Sequence, residues 1–370
     1  MKILCDRQKL SDAVTNVMRC VSVKSSISAL EGVLLHTVPN GVELTGYDMD
    51  MAMQTTMAAK VETSGEIVLP AKLFADILRR LPEEMVSLEV DSRLTTVIAS
   101  GETSFSLMGI SAVEFPELPV IQDIVAVELS GSILYSMIHQ TRFAVAVSDA
   151  KPIHTGILVE VRPGRLRLVS VDGYRMAIRT EPIRTEETLN IVVPGKTLGE
   201  VEKLIGEDTE TVKFMVGKRH IMFTIGKYVV FSRLLDGEFL EYEASVPQDS
   251  ITSIVMNTRR LYECIERVSL VISDRIKNAI RCKFEGHTAY FSCVTALGKA
   301  KDQMEISLSG DEVEMGFNNR YLMDALKACE VPEVRIVIKG PVSPMKIMPC
   351  EGDAFLYLVL PMRLKQTDAN

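Results

Sequence analysis

Four sets of residues in this chain have types that could do chemistry, and their spacing decides what each can do. Gly195-Lys196-Thr197 could close a phosphate-binding loop, in which backbone N–H groups and a lysine cradle phosphate oxygens. The glycine such a loop needs five residues earlier is Asn190, and the matching positions elsewhere read Ala71-Lys72-Leu73 and Asn319-Arg320-Tyr321. The lysine therefore marks a recurring basic position, not a nucleotide loop. Asp48 and Asp50 could in principle hold a divalent cation, although a carboxylate pair just after a strand is ordinary turn chemistry. His36, His139, His154, His220 and His287 show no ligand spacing, and the sequence has neither GxSxG nor HExxH. Cys5, Cys20, Cys264, Cys282, Cys293, Cys329 and Cys350 include no CxxC pair, which points to reduced thiols and a cytoplasmic setting. The expectation is a binding protein with no catalytic residues, no metal and no cofactor.

The basic residues carry more information. Lys72, Lys196 and Arg320 are each followed seven residues later by a second cation, Arg79, Lys203 and Lys327, two helical turns away on the same face. An acid sits between them each time: Asp76, Glu200 and Asp324. On one helix this is the pattern of a solvated face with i,i+4 pairs. Its recurrence in three segments favours a shared anionic partner. The preceding helical stretches add Lys9, Arg19 and Lys24, then Arg142 and Lys151, then Arg259, Arg260, Arg267, Arg275 and Lys277.

The elements that position these cations repeat. Ile67 to Leu81 (IVLPAKLFADILRRL), Ile191 to Ile205 (IVVPGKTLGEVEKLI) and Met315 to Cys329 (MGFNNRYLMDALKAC) align without a gap at a spacing of 124 residues. So long a period requires each copy to be a domain with its own core. Apolar residues of helical period recur near the same spacing: Leu10, Val14 and Val17; Leu134, Ile138 and Thr141; Leu261, Ile265 and Val268. Asp48 and Asp172 each follow a short alternating stretch that reads as a strand, with Ala296 at the third position. Each domain is thus expected to run strand, helix, hairpin strands, helix, strands. Turn formers at Phe115 to Asp123 and Ser245 to Ser250 put the domains at 1–121, 122–247 and 248–370.

At 370 residues and 47% hydrophobic, the chain has material for two or three cores. No apolar run reaches membrane-spanning length, and the charged start MKILCDRQKL is unlike a signal peptide. The net charge of −8 excludes a nucleic-acid partner only if charge is evenly spread, because phosphate binding depends on the local field. With no tryptophan and 6% aromatic residues, sequence-neutral contact with the duplex backbone is the consistent option.

The triple repeat, together with Leu69 to Phe74 (LPAKLF), Val171 to Met176 (VDGYRM) and the closing Leu358 to Leu364 (LVLPMRL), resembles the bacterial sliding clamps, the β subunits of DNA polymerase III. The resemblance covers the chain to Leu364. It implies an α+β fold of three similar domains, each with two helices packed on antiparallel sheets, and a head-to-tail homodimer forming a six-domain ring. A size argument agrees: a domain of ~120 residues has an equivalent-sphere diameter of about 35 Å, so three in a ring leave about 5 Å and six leave about 35 Å, against a duplex roughly 20 Å across.

The resemblance also implies roles for named residues. Arg19, Lys24, Lys72, Arg79, Lys151, Lys196, Lys203, Arg320 and Lys327 are expected to meet DNA, with Lys24 and Lys151 in loops. Partners, including a clamp loader and the polymerase catalytic subunit, would dock short peptides in a pocket of His154, Val171, Gly173, Tyr174, Arg175, Met176, Leu240, Ser245, Tyr321, Pro344, Leu358, Leu360, Pro361, Met362 and Arg363. Val171, Tyr174, His154, Ala244 and Ser245 depart from the family pattern, which leaves the peptide preference open, and the tail Lys365 to Asn370 runs past the usual end. Phe105 and Leu107 would meet Val271 and Ile272 of a second copy, unless these four serve their own cores.

Overall fold

The structure, a computed structural model, describes residues 1–122, 125–148, 150–273 and 279–364. Arg275, Lys277 and the tail 365–370 lie outside the described residues.

The first third runs β1 (Lys2–Asp6), α1 (Arg7–Val17), β2 (Gly32–Val38), β3 (Gly41–Tyr47), β4 (Met51–Ala58), β5 (Lys60–Thr63), β6 (Glu66–Pro70), α2 (Ala71–Leu78), β7 (Met85–Val90), β8 (Thr95–Ser100) and β9 (Thr103–Met108). The middle third follows as β10 (Val125–Ser130), α3 (Gly131–Arg142), β11 (Gly156–Arg162), β12 (Arg165–Val171), β13 (Arg175–Pro182), β14 (Leu189–Pro194), α4 (Gly195–Leu204), β15 (Thr211–Val216), β16 (His220–Ile225) and β17 (Tyr228–Arg233). The last repeats the order: β18 (Thr252–Asn257), α5 (Thr258–Ser269), β19 (Ile280–Glu285), β20 (Thr288–Thr295), β21 (Gly298–Glu305), β22 (Ser307–Gly310), β23 (Val313–Phe317), α6 (Asn319–Lys327), β24 (Glu333–Ile338), β25 (Met345–Pro349) and β26 (Phe355–Val359). The expected order of strand, helix, hairpin strands, helix, strands is present in all three.

Local chemistry sets the helix starts. Asp6 accepts from the Lys9 backbone N–H at 2.8 Å, Asn257 from Arg260 at 3.0 Å, and Asn318 from Arg320 at 2.9 Å, each satisfying a first-turn donor that the helix cannot. The helical-period residues point inward: Leu10, Val14, Val17, Ile138, Thr141, Leu261, Ile265 and Val268 are all buried. α1 ends at Val17, short of Lys24, where the serine-rich segment 22–28 favours turns over helix. Lys24 and Lys151 lie in the segments that follow the helices.

The strands form four sheets among the described residues, ordered β5-β1-β7-β8-β9, β10-β15-β16-β17-β4-β3-β2-β6, β14-β11-β12-β13-β26-β25-β24-β18-β22 and β21-β20-β19-β23. The two long sheets are each shared between neighbouring thirds. β17 pairs antiparallel with β4 from Tyr228 opposite Thr55 to Ser232 opposite Met51, and β26 pairs with β13 from Arg175 opposite Val359 to Arg179 opposite Phe355. Each edge-to-edge union removes two exposed strand edges. The middle third consequently contributes to two compact units, Met1–Ser132 with Glu200–Leu234 and Ile133–Gly199 with Leu235–Asn370.

Candidate functional site

The recurring aspartates are turn builders. Asp48 Oδ1 accepts from the backbone N–H groups of Asp50 (3.1 Å) and Met51 (2.8 Å), and Asp172 Oδ1 from those of Tyr174 (2.8 Å) and Arg175 (3.0 Å). This closes the hairpins β3–β4 and β12–β13 as Asx turns, with Met49 and Gly173 at positive φ. In the third hairpin the Thr295 hydroxyl accepts from Leu297 N at 3.0 Å, so Thr295 rather than Ala296 takes the aspartate's place. The strand registers agree, since Gly46 opposite Met53, Ser170 opposite Ala177 and Cys293 opposite Ala300 are equivalent.

Gly173 and the strands it joins organise the candidate pocket, all of it within the second compact unit. Met176 lies opposite Leu358 across the β13–β26 union, and Leu360 N donates to Tyr174 O at 2.9 Å. Val171, Met176 and Leu358 share one apolar cluster with Leu158, Val169, Ile178, Val192 and Tyr242. The connector after β17 packs onto that cluster through Leu235, Phe239 and Val246, which brings up Leu240 and Ser245, both exposed. His154 is buried edge-on against Phe239, with ring centroids 5.7 Å apart. Burial, helped by the nearby Lys151 charge, holds the His154 imidazole below its usual pKa. Met362 N donates to Gly316 O at 2.7 Å, fixing the chain beyond β26; Pro344 and Pro361 are half-buried and Arg363 exposed.

Over this floor stands a charged and aromatic assembly. The Arg175 guanidinium donates to Asp172 Oδ2 at 2.9 Å and Asp324 Oδ2 at 2.6 Å, and its centre lies 4.6 Å from the Tyr321 ring. Tyr174 stacks on Tyr321 at 5.9 Å with 22° between planes. Burial, then the Asp172 charge, pushes the Tyr321 phenol upward, so it stays neutral. Asp172, Asp324, Phe239 and Tyr242 were not among the expected pocket residues. The connector's Tyr242 hydroxyl donates to Glu160 and accepts from Arg167 at 2.9 Å, and its pKa is pushed up to about 12, burial being the main cause. An aromatic pair in a proline-flanked connector was the one available signal for Phe239 and Tyr242.

The expected DNA-contacting cations divide between the units. Lys24, Lys72, Arg79 and Lys203 are exposed and Arg19 half-buried in the first; Lys151, Lys196, Arg320 and Lys327 are exposed in the second. Each interleaved acid has a cationic partner: Asp76 with Arg79 at 3.1 Å, Glu200 with Lys203 at 2.8 Å and Arg19 at 3.8 Å, Asp324 with Arg175. Lys327 lies 5.5 Å from the Tyr262 ring centre. Asp76 with Arg79 is a surface pair, worth about 0–1 kcal/mol and readily exchanged, whereas Glu200 and Arg175 are largely buried and hold their partners in less water.

Of the expected self-association residues, Phe105 and Leu107 lie on β9, an end strand, with Phe105 exposed and Leu107 half-buried. Val271 and Ile272 follow α5; both pack against their own core and are half-buried. A groove of about 470 Å³ on the β19–β21 sheet is lined instead by Arg281, Lys283, Tyr290, Lys301 and Glu314 among others, and includes none of the expected pocket residues. Arg281 pairs with Glu314 at 2.6 Å and Lys283 with Glu285 at 2.7 Å, which gives this groove a charged rim.

No helix among the described residues is long and apolar enough to cross a membrane, and no group of three or more His, Cys, Asp or Glu residues there could hold a metal ion. Family profiles described as the N-terminal, central and C-terminal domains of the DNA polymerase III beta subunit match residues 1–119, 128–241 and 244–363. The Bacillus subtilis beta sliding clamp is 31% identical over 98% of this chain and 100% of its own length. That of Synechococcus elongatus is 31% identical over 99% and 100%. Among solved structures, the Bacillus subtilis clamp superposes with a TM-score of 0.95 at 30% identity, covering 99% of this chain and 100% of that one. A Pseudomonas aeruginosa clamp bound to griselimycin gives 0.93 at 26%, covering 98% and 100%. With all three domains of the fold matched in order along its length, the chain belongs to the DNA polymerase III beta subunit family, the beta sliding clamps.

Proposed function

We propose that this chain is a processivity factor: two copies close head to tail into a six-domain ring that encircles duplex DNA, slides without sequence preference and tethers the replicative polymerase and other replication and repair proteins through the β13–β26 pocket. It acts in the cytoplasm as a tether rather than a catalyst, and a clamp loader opens it. Domains at 1–121, 122–247 and 248–370 are the units of the ring.

The observation that carries this reading is the repeated sheet union. Val230 and Ser232 of β17 face Met53 and Met51, and Tyr357 and Val359 of β26 face Ala177 and Arg175. In the other two sheets the strands equivalent to β17/β26 and β4/β13 are the end strands β9 and β21, and the equivalent positions are Phe105 and Leu107 of β9 and Ala300 and Gly298 of β21. Extending the rule to a second copy puts Phe105 opposite Ala300 and Leu107 opposite Gly298. A Cβ at Gly298 would lie 3.9 Å from Val271 Cγ1, so Leu107 arrives against Val271. One antiparallel union per chain then remains to be made, and two chains satisfy each other heterologously.

Topology supplies the grip, so the cations need only weak, screened phosphate contacts that exchange as the ring moves. The test is to load the protein on nicked circular DNA with a clamp-loading ATPase and then linearise. Rapid loss from the ends is expected; retention on linear DNA, or equal loss from the circle, would reject a topological hold.

A further inference from the structure

We propose that the groove on the β19–β21 sheet is a separate docking site, which takes an extended peptide segment of a partner protein carrying one carboxylate and, two positions along, an apolar ring. The groove holds about 470 Å³ and shares no residue with the β13–β26 pocket. Its floor is laid out by strand register, because residues directly opposite one another on antiparallel strands project to the same face. Lys301, Ser292 and Arg281 lie opposite in turn, as do Gln303, Tyr290 and Lys283, so the six form two neighbouring rows. The alternate residues, among them Cys282, Phe291 and Met304, face the core, which leaves the other side of the sheet to these rows.

The first row forms a cradle for a carboxylate. Arg281 donates to Glu314 at 2.6 Å and Lys283 to Glu285 at 2.7 Å, whereas the exposed Lys301 has no acid partner among the described residues. Beside it, the Ser292 hydroxyl makes no hydrogen bond among the described residues and can donate one. One uncompensated cation suits a single carboxylate. A run of phosphates would meet Glu314 and Glu285 on the same face and be repelled. In the ring proposed above, Ser104 of the second copy falls opposite Lys301, a short neutral neighbour that leaves the amine uncompensated. The second row supplies the apolar contact: Tyr290, between Gln303 and Lys283, is 41% exposed in the middle of the sheet. Ser292 and Tyr290 are two residues apart on one strand, about 6.8 Å, which is also the spacing of alternate side chains in an extended ligand. An acid seated over Ser292 therefore brings the residue two positions away onto the Tyr290 ring.

Fluorescein-labelled Gly-Glu-Ser-Phe-Gly and its reverse, Gly-Phe-Ser-Glu-Gly, would be titrated with the full-length protein by anisotropy. For one of the two, replacing Glu by Gln should weaken binding about 3- to 10-fold, as expected for hydrogen bonds to a charged group. Replacing Phe by Ala should weaken it about 2- to 10-fold, through loss of the ring contact. The first ratio should fall to near one in Lys301→Ala and the second in Tyr290→Ala; both side chains are exposed, so neither change disturbs the core. Ratios near one for both peptides with the unaltered protein, or no binding by either, overturn the proposal. Ratios that survive both substitutions also overturn it, because the peptides then sit elsewhere, such as in the β13–β26 pocket. Binding of labelled oligothymidylate that drops in Lys301→Ala, with peptide ratios near one, would give the groove to nucleic acid instead.

Discussion

Asp172 carries two loads with one carboxylate: Oδ1 closes the hairpin through two backbone N–H groups, and Oδ2 holds the Arg175 guanidinium. Asp172→Ala leaves both donors and a half-buried cation short of a partner, and should destabilise the full chain by about 1–3 kcal/mol in urea unfolding. Asp172→Asn keeps an oxygen for the turn and should cost less; equal losses would mean that the turn contributes little. His154 gives a pH dependence with a definite sign. Its folded pKa lies below the unfolded value of about 6.5, so the folded state binds fewer protons. The stability it contributes is present above that pH and is lost as pH falls through the folded pKa. His154→Leu should flatten the fall in urea midpoint between about pH 7 and pH 5, and an unchanged slope would assign that fall to other groups, such as His220, which burial shifts the same way.

At the scale of elements, the two unions within the chain are each packed by connector side chains. Phe115 is buried beside Tyr47, Ala52 and Phe231 at β17–β4, and Phe239 and Tyr242 cover β13–β26. The exposed residues of β9 and β21 mix polar Ser104, Ser106, Lys299 and Lys301 with apolar Phe105 and Met108, so these strands are only partly blunted by charge. Oxidising Phe105→Cys together with Ala300→Cys should yield a covalent dimer, whereas Phe105→Cys with Lys301→Cys should not. In the unaltered background, Val271→Ala with Ile272→Ala should weaken association by about 2–4 kcal/mol, seen as monomer in sedimentation equilibrium. Dimer mass unchanged by that double substitution would return both residues to their own core. The sequence made the strand-to-helix step at 67–81, 191–205 and 315–329 legible, because a short apolar run followed by an amphipathic stretch is local information. The unions between thirds were not legible, since pairing across domains leaves no periodic trace. The Arg175 assembly is legible only in part: in the sequence Asp324 reads as charge on a helix face, while its partner lies 149 residues away.

For the whole molecule, electrostatics and connectivity make separate predictions. Removing two phosphate contacts with Lys24→Ala and Lys151→Ala should reduce the slope of log affinity against log salt on short duplex DNA by about 1.8. An unchanged slope would leave both lysines as ordinary loop residues. Connectivity governs unfolding. β10 and β15–β17 belong to one sheet with β2–β4 and β6, and β11–β14 to one with β18, β22 and β24–β26. Native-state hydrogen exchange should group the amides by these sheets and not by sequence repeat. Exchange of the middle third as a single cooperative block would contradict this.

The division of the middle third also limits how the chain can be taken apart. A triplicated ancestry suggests three interchangeable modules, each removable at its proline-rich borders. Excising residues 122–247 would instead strip four strands from each long sheet and bare β4 and β26 at once, leaving two truncated remnants with sticky flanks. The three similar segments are interdependent through their shared sheets, so whole repeats cannot be exchanged without cutting a sheet.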